Sequence, residues 1–211
     1  MALVKYNDRS LRNLSTVPAA VTGNSPGALV HIKTLTASSS ATLSFVDGAS
    51  SVVLDNTYPI YKFEFIDIHP ATDNQDIQFN GSVDGGSNYN VTKTSSTFQA
   101  QHDEADSEAL LQYNTDRDLA QSTSAQRFSL QIGNDNDQSV VGTLHLFNPS
   151  STTFVKHYIA TVQGANASNY TQQLFTAGYM NTTSAVNAIQ FSFQSGNIDA
   201  GQIKLYGIKD A

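Results

Sequence analysis

The chain has 211 residues, no cysteine, and 11 basic against 18 acidic residues for a net charge of −7. That length suits one large β domain, or a domain with an arm. The charge excludes nucleic acid as an expected partner, because an acidic chain gains nothing from releasing phosphate counterions. The missing cysteines exclude a disulfide scaffold, a thiolate zinc site and a cysteine nucleophile.

Charged residues make up 14 %, against roughly 25 % in ordinary soluble domains. Ser, Thr, Asn and Gln supply the remaining polarity, as in sheets with one buried face and one uncharged polar face. Chains packed into assemblies share that balance. No Lys/Arg run offers itself to an anionic membrane surface. No stretch approaches the roughly 18 apolar residues of a membrane span. Met1 to Arg12 lacks the apolar run of a signal peptide, which predicts assembly in a cytoplasm. The Asn-x-Ser/Thr triplets at Asn90, Asn169 and Asn181 then read as strand edges and not as glycan sites.

Residues 1–27 differ from the rest. Isolated Leu and Val sit among Asn, Asp, Arg and Ser, and the segment closes on Thr22-Gly23-Asn24-Ser25-Pro26-Gly27, a loop signal. We read it as an N-terminal arm, free or docked on a neighbour, before a β domain over 28–211. From Ala28 the period is two. Leu29 to Thr36 is the first predicted strand. Ala41 to Val46 and Ser51 to Leu54 flank Asp47-Gly48 and predict a hairpin. Tyr58 to His69 is the longest strand signal. Tyr61, Phe63 and Phe65 share one face, Lys62 and Glu64 the other, and Pro70 stops the run. Gln75 to Val83 follows, ended by Asp84-Gly85-Gly86-Ser87.

A less regular stretch leads to Glu104–Asn114, where Ala105, Ala109, Leu110 and Leu111 predict one short helix. Strands are predicted over Gln126–Ile132, Val140–Phe147, Thr153–Val162, Gln172–Met180, Ala188–Gln194 and Gln202–Ile208. Ile189, Phe191 and Phe193 alternate most clearly, against Gln190, Ser192 and Gln194. The expectation is all-β: about ten antiparallel strands in a two-sheet β-sandwich, jelly-roll-like, since no helix-length crossovers separate the strands. No fixed-period repeat suggests a propeller or solenoid.

Chemistry-bearing patterns are sparse, so no catalytic, cofactor-binding or metal residue is assigned, and the chain is expected not to be an enzyme. Of the histidines, His31, His145 and His157 fall within strands, His69 precedes a proline, and His102 stands in the less regular stretch. No Gly-x-Ser-x-Gly elbow occurs, and no histidine spacing suits zinc. Glu64 and Asp67 are almost the only strand acids, so a glycosidase carboxylate pair is not indicated. Two acidic loops could offer oxygen ligands to calcium: Gly133 to Gln138, with Asp135 and Asp137, and Asp103 to Glu108, with Asp103 and Glu104. Each reads equally well as a turn. Tyr89, Tyr113, Tyr170 and Tyr179 could line a glycan surface, though the commoner role is a loop anchor with a buried ring and a wet hydroxyl.

Several turn and strand-edge motifs are distinctive. They are Phe63-Glu64-Phe65-Ile66-Asp67-Ile68-His69-Pro70, Ser82-Val83-Asp84-Gly85-Gly86-Ser87, Ile132-Gly133-Asn134-Asp135-Asn136-Asp137, Leu146-Phe147-Asn148-Pro149, Ala177-Gly178-Tyr179-Met180-Asn181 and Lys204-Leu205-Tyr206-Gly207-Ile208. Over residues 28 to 209 the chain resembles a family of virion-associated structural proteins of marine tailed bacteriophages. The resemblance implies a capsid decoration (cement) protein or a tail or fibre component. Its partners would be copies of itself, as a homotrimer, and the major capsid protein or other virion proteins. A host-surface glycan is a further implied ligand. No catalytic residue or cofactor is carried over, and the arm lies outside the resemblance.

Overall fold

The structure is a computed structural model and describes residues 28–209; the expected arm, residues 1–27, lies outside them. Among the described residues the fold is all-β, with no helix. Twelve strands form it: β1 (Leu29–Thr36), β2 (Leu43–Val46), β3 (Ile60–Pro70), β4 (Ile77–Ser82), β5 (Lys93–Asp103), β6 (Ala109–Tyr113), β7 (Gln126–Arg127), β8 (Val140–Phe147), β9 (Lys156–Ala165), β10 (Tyr170–Met180), β11 (Ala188–Phe193) and β12 (Ile198–Ile208). Every pairing is antiparallel.

The strand order resolves the expected jelly roll. One sheet runs β1-β12-β3-β8-β9-β10-β5-β6, the other β2-β11-β4-β7. Its first four strands, β1-β12-β3-β8, pack on the smaller sheet, and the chain alternates between the two as a pair of interlocked Greek keys does. The remaining four strands come from two insertions. Hairpin β5–β6 is inserted between β4 and β7, and hairpin β9–β10 between β8 and β11. They pair with each other through β10 and β5 and double the width of the larger sheet.

Alternation in β3 and β11 builds the core between the sheets. Tyr61, Phe63 and Phe65 of β3 point inward and are buried, as are Ile189, Phe191 and Phe193 of β11. Phe191 is the centre: its ring lies 5.2 Å from both Phe63 and Phe65, and 6.3, 6.3 and 6.4 Å from Phe45, Phe79 and Phe128. Most of these pairs meet edge to face, which the aromatic quadrupole favours.

Three sequence expectations are corrected. Glu104–Asn114 is a turn followed by strand β6, not a helix. Leu110 and Leu111 resemble one face of a helix, but hydrogen bonding to β5 decides the conformation. Ser51–Leu54 is not a strand, and β2 pairs with β11 instead. The Asp47-Gly48 turn forms, but Ser50 and Ser51 take positive φ, and the Leu54 amide donates to Asp47 Oδ1. Val52 and Leu54 are therefore buried as loop anchors. Strand β5 was the missed element, falling in the stretch read as irregular. The predicted strand over Gln126–Ile132 also shortens to β7, although Phe128, Leu130 and Ile132 are buried as its alternation requires.

The two halves of the large sheet differ in regularity. All its register shifts fall within β1, β12, β3 and β8. At one of these bulges Asp67 has φ 49° and Gly201 φ 106°. A Cβ on Gly201 would lie 2.4 Å from the Asp67 carbonyl oxygen, so glycine is required there. Pairings among β9, β10, β5 and β6 run without a shift.

Candidate interaction face

The sheet extension has two unlike faces. Its inner face adds a buried polar patch to the apolar Tyr158, Ala160, Val162, Leu174 and Met180. Lys93, Thr97, Gln99, Gln172 and Thr176 are buried there, beneath the segment 114–126. Thr97 and Thr176 share a hydroxyl hydrogen bond at 3.1 Å, Asn114 Nδ2 donates to Gln99, and Gln126 Nε2 donates to the Arg117 carbonyl at 2.7 Å. Arg117 anchors this cover on buried Asp76 at 2.9 Å. Two buried lysines flank Met180 in register, Lys93 on β5 and Lys156 on β9. Lys93 Nζ donates to Asn80 Oδ1 at 2.6 Å and to the Val91 carbonyl at 2.7 Å. Burial pulls its pKa from 10.5 down to about 7. Lys156 Nζ donates to the carbonyls of Phe154 and Thr182, and burial lowers its pKa as well.

The outer face is built differently. Register places Thr161, Phe175, Phe98 and Tyr113 in one row across β9, β10, β5 and β6. Gln163, Gln173, Ala100 and Leu111 form the next row. On the other side come Ile159, Ala177 and Ser96, then His157, Tyr179 and Thr94. Not one outward side chain of these four strands is Asp, Glu, Lys or Arg. The same rows carry Lys62, Glu64 and Lys204 once they reach β3 and β12. Apolar exposure is high: Leu111 74 %, Tyr113 52 %, Ile159 50 % and Phe98 46 %. The Phe98 and Phe175 rings stack with centroids 4.8 Å apart and planes inclined by 10°. Tyr113 Oη donates to Asp118 at 2.7 Å at the rim. At the other end of the strands is an open depression of about 580 Å³, lined by Thr94, Ser96, His157, Ile159, Ala177 and Tyr179 among others.

The sequence candidates are scattered. The five histidines lie on five different strands: His31 on β1, His69 on β3, His102 on β5, His145 on β8 and His157 on β9. Among the described residues no three His, Asp or Glu side chains gather as a metal site. In the calcium candidate over Asp103–Glu108, Asp103 closes the β5–β6 turn. Its carboxylate accepts from the amides of Ser107 and Glu108 at 2.8 Å each and from the Ser107 hydroxyl, which holds its pKa below the usual range. Glu108 turns away to Gln101 and Tyr170. In the candidate over Gly133–Gln138, the Asp135 carbonyl meets His69 Nε2 at 3.2 Å, and Asp137 lines a polar cleft with Asp67, His69 and Asp199. His69 Nδ1 is 3.6 Å from Asp199.

Of the four tyrosines, Tyr113 and Tyr179 stand on strands of the outer face and not in loops. Phe98 and Leu111 were missed as surface residues because β5 was not recognised. The available signal was in β10, where Leu174 and Phe175 are adjacent, so apolar side chains reach both faces of one strand. Comparison with protein-family models, with curated proteins and with solved structures returned no match.

Proposed function

We propose that this chain is a structural protein of a tailed-bacteriophage particle, a capsid decoration or cement protein that binds the assembled shell and stabilises it. The observation that carries this reading is the charge-free aromatic face of the sheet extension. Contiguous exposed apolar patches mark protein-binding surfaces, which suits a chain that works inside an assembly. The motif resemblance supplies the particle, and the major capsid protein or another virion protein supplies the partner. The chain would assemble in the host cytoplasm and work in the virion without catalysis. A ligand of the assembled shell stabilises that state by mass action, so the effect would be greatest at saturating occupancy.

The exposed rings favour a second reading. Phe98, Tyr113 and Tyr179, with Gln163 and Gln173 beside them, offer a flat platform that a host-surface glycan could stack on, as a tail or fibre protein would require. Copy number separates the two. Quantitative mass spectrometry of purified particles should find hundreds of copies for decoration; a dozen or fewer would assign the chain to the tail, and none would end both readings.

A further inference from the structure

We infer that the outer face of β9, β10, β5 and β6 is the contact between copies of this chain, each copy laying the face on that of a second. This assigns to a second copy the same face that carries the reading above, and so leaves attachment to a particle to another part of the chain; association tests this inference and copy number tests that reading.

Three observations select a second copy as the occupant. The first is charge. The chain carries −7, yet the outward side chains of these four strands include no Asp, Glu, Lys or Arg. A partner that recognised the molecule by its charge would find none here to pair with. A second copy brings the same neutral face, so two acidic molecules meet where like-charge repulsion is least. The second is shape. The four strands pair without a bulge, giving the regular surface on which sheets stack about 10 Å apart. The ridge of Leu111, Phe98 and Tyr113 stands at the β6 edge, and the depression beside His157 and Tyr179 lies at the strand end away from it. Turning one copy by a half-rotation about an axis lying in the plane of the face, midway between ridge and depression, sets each ridge over the other copy's depression. Such self-complementarity is what an isologous contact needs. The third is area. Strands β9, β10 and β5, of 10, 11 and 11 residues, and β6, of 5, set about 4.8 Å apart and rising about 3.3 Å per residue, span roughly 600 Å². Two such faces bury roughly 1,200 Å², above the roughly 1,000 Å² that a specific interface requires.

The smallest assembly closed by this contact is a dimer, where the motif resemblance implies a homotrimer. Sedimentation equilibrium of the full chain at micromolar concentration should give the dimer mass. Leu111→Glu, at a largely exposed position, and Phe98→Ser, which gives up the stack on Phe175 but lies outside the buried core, should each weaken association by about tenfold or more, as loss of an interface anchor does. Lys204→Glu, on the outer face of β12, should leave it unchanged. A monomer, a trimer, or a dimer indifferent to both face substitutions would overturn the assignment. So would a monomer whose face binds a soluble glycan.

Discussion

At the residue scale, Lys93 shows how burial sets the charge of a side chain. Its amine has two neutral acceptors, Asn80 and Val91, and its pKa falls to about 7 because the charged form is desolvated. In the unfolded chain the same amine stays protonated to about pH 10.4. Between these values the unfolded state holds a proton that the folded state has released, so stability rises with pH across that window. Urea titrations should show a gain on the order of 2 kcal/mol from pH 7 to pH 9. Lys93→Met should flatten that rise; an unchanged slope would mean the amine is charged in the fold. Phe191 is the residue on which the core converges, and it touches aromatic side chains from both sheets. Phe191→Ala should cost about 3–5 kcal/mol in chemical denaturation.

At the element scale, legibility in the sequence followed the polarity of the buried face. Strands β3 and β11 were readable because their inward residues are aromatic or aliphatic and their outward ones polar. Strand β5 was not. Its inward side chains are Lys93, Thr97, Gln99 and Asp103, while Phe98 points outward, so its hydrophobic alternation is inverted. The same inversion hid the interaction face, since no local pattern says that an outward Phe is unpartnered. β6 was misread because its helix-like leucines are pinned as a strand by β5. Asp103 holds that hairpin's turn. Asp103→Ala should therefore speed hydrogen exchange in β6 while leaving β12 protected. Equal exchange in both variants would show that the turn forms without its carboxylate.

At the scale of the whole molecule, the jelly roll was legible as a class and the extension was not, because β10–β5 pairing joins two insertions far apart in sequence. Self-association and attachment are proposed to use different parts of the chain. A truncation beginning at Ala28 should fold and remain associated yet fail to bind particles in a pull-down. Normal attachment would remove the arm from the docking role. The strand order also bears on synthesis. β12 lies between β1 and β3 and pairs with both, so β1 has its neighbour supplied by residues 198–208. β5 likewise waits for β10. A chain emerging N-terminus first would expose β1, the flank of β3 and the edge of β5 that pairs with β10 until late, and such non-local pairings close slowly. Folding is therefore expected to be largely post-translational, with a dependence on holding chaperones that a protein of local hairpins would not have.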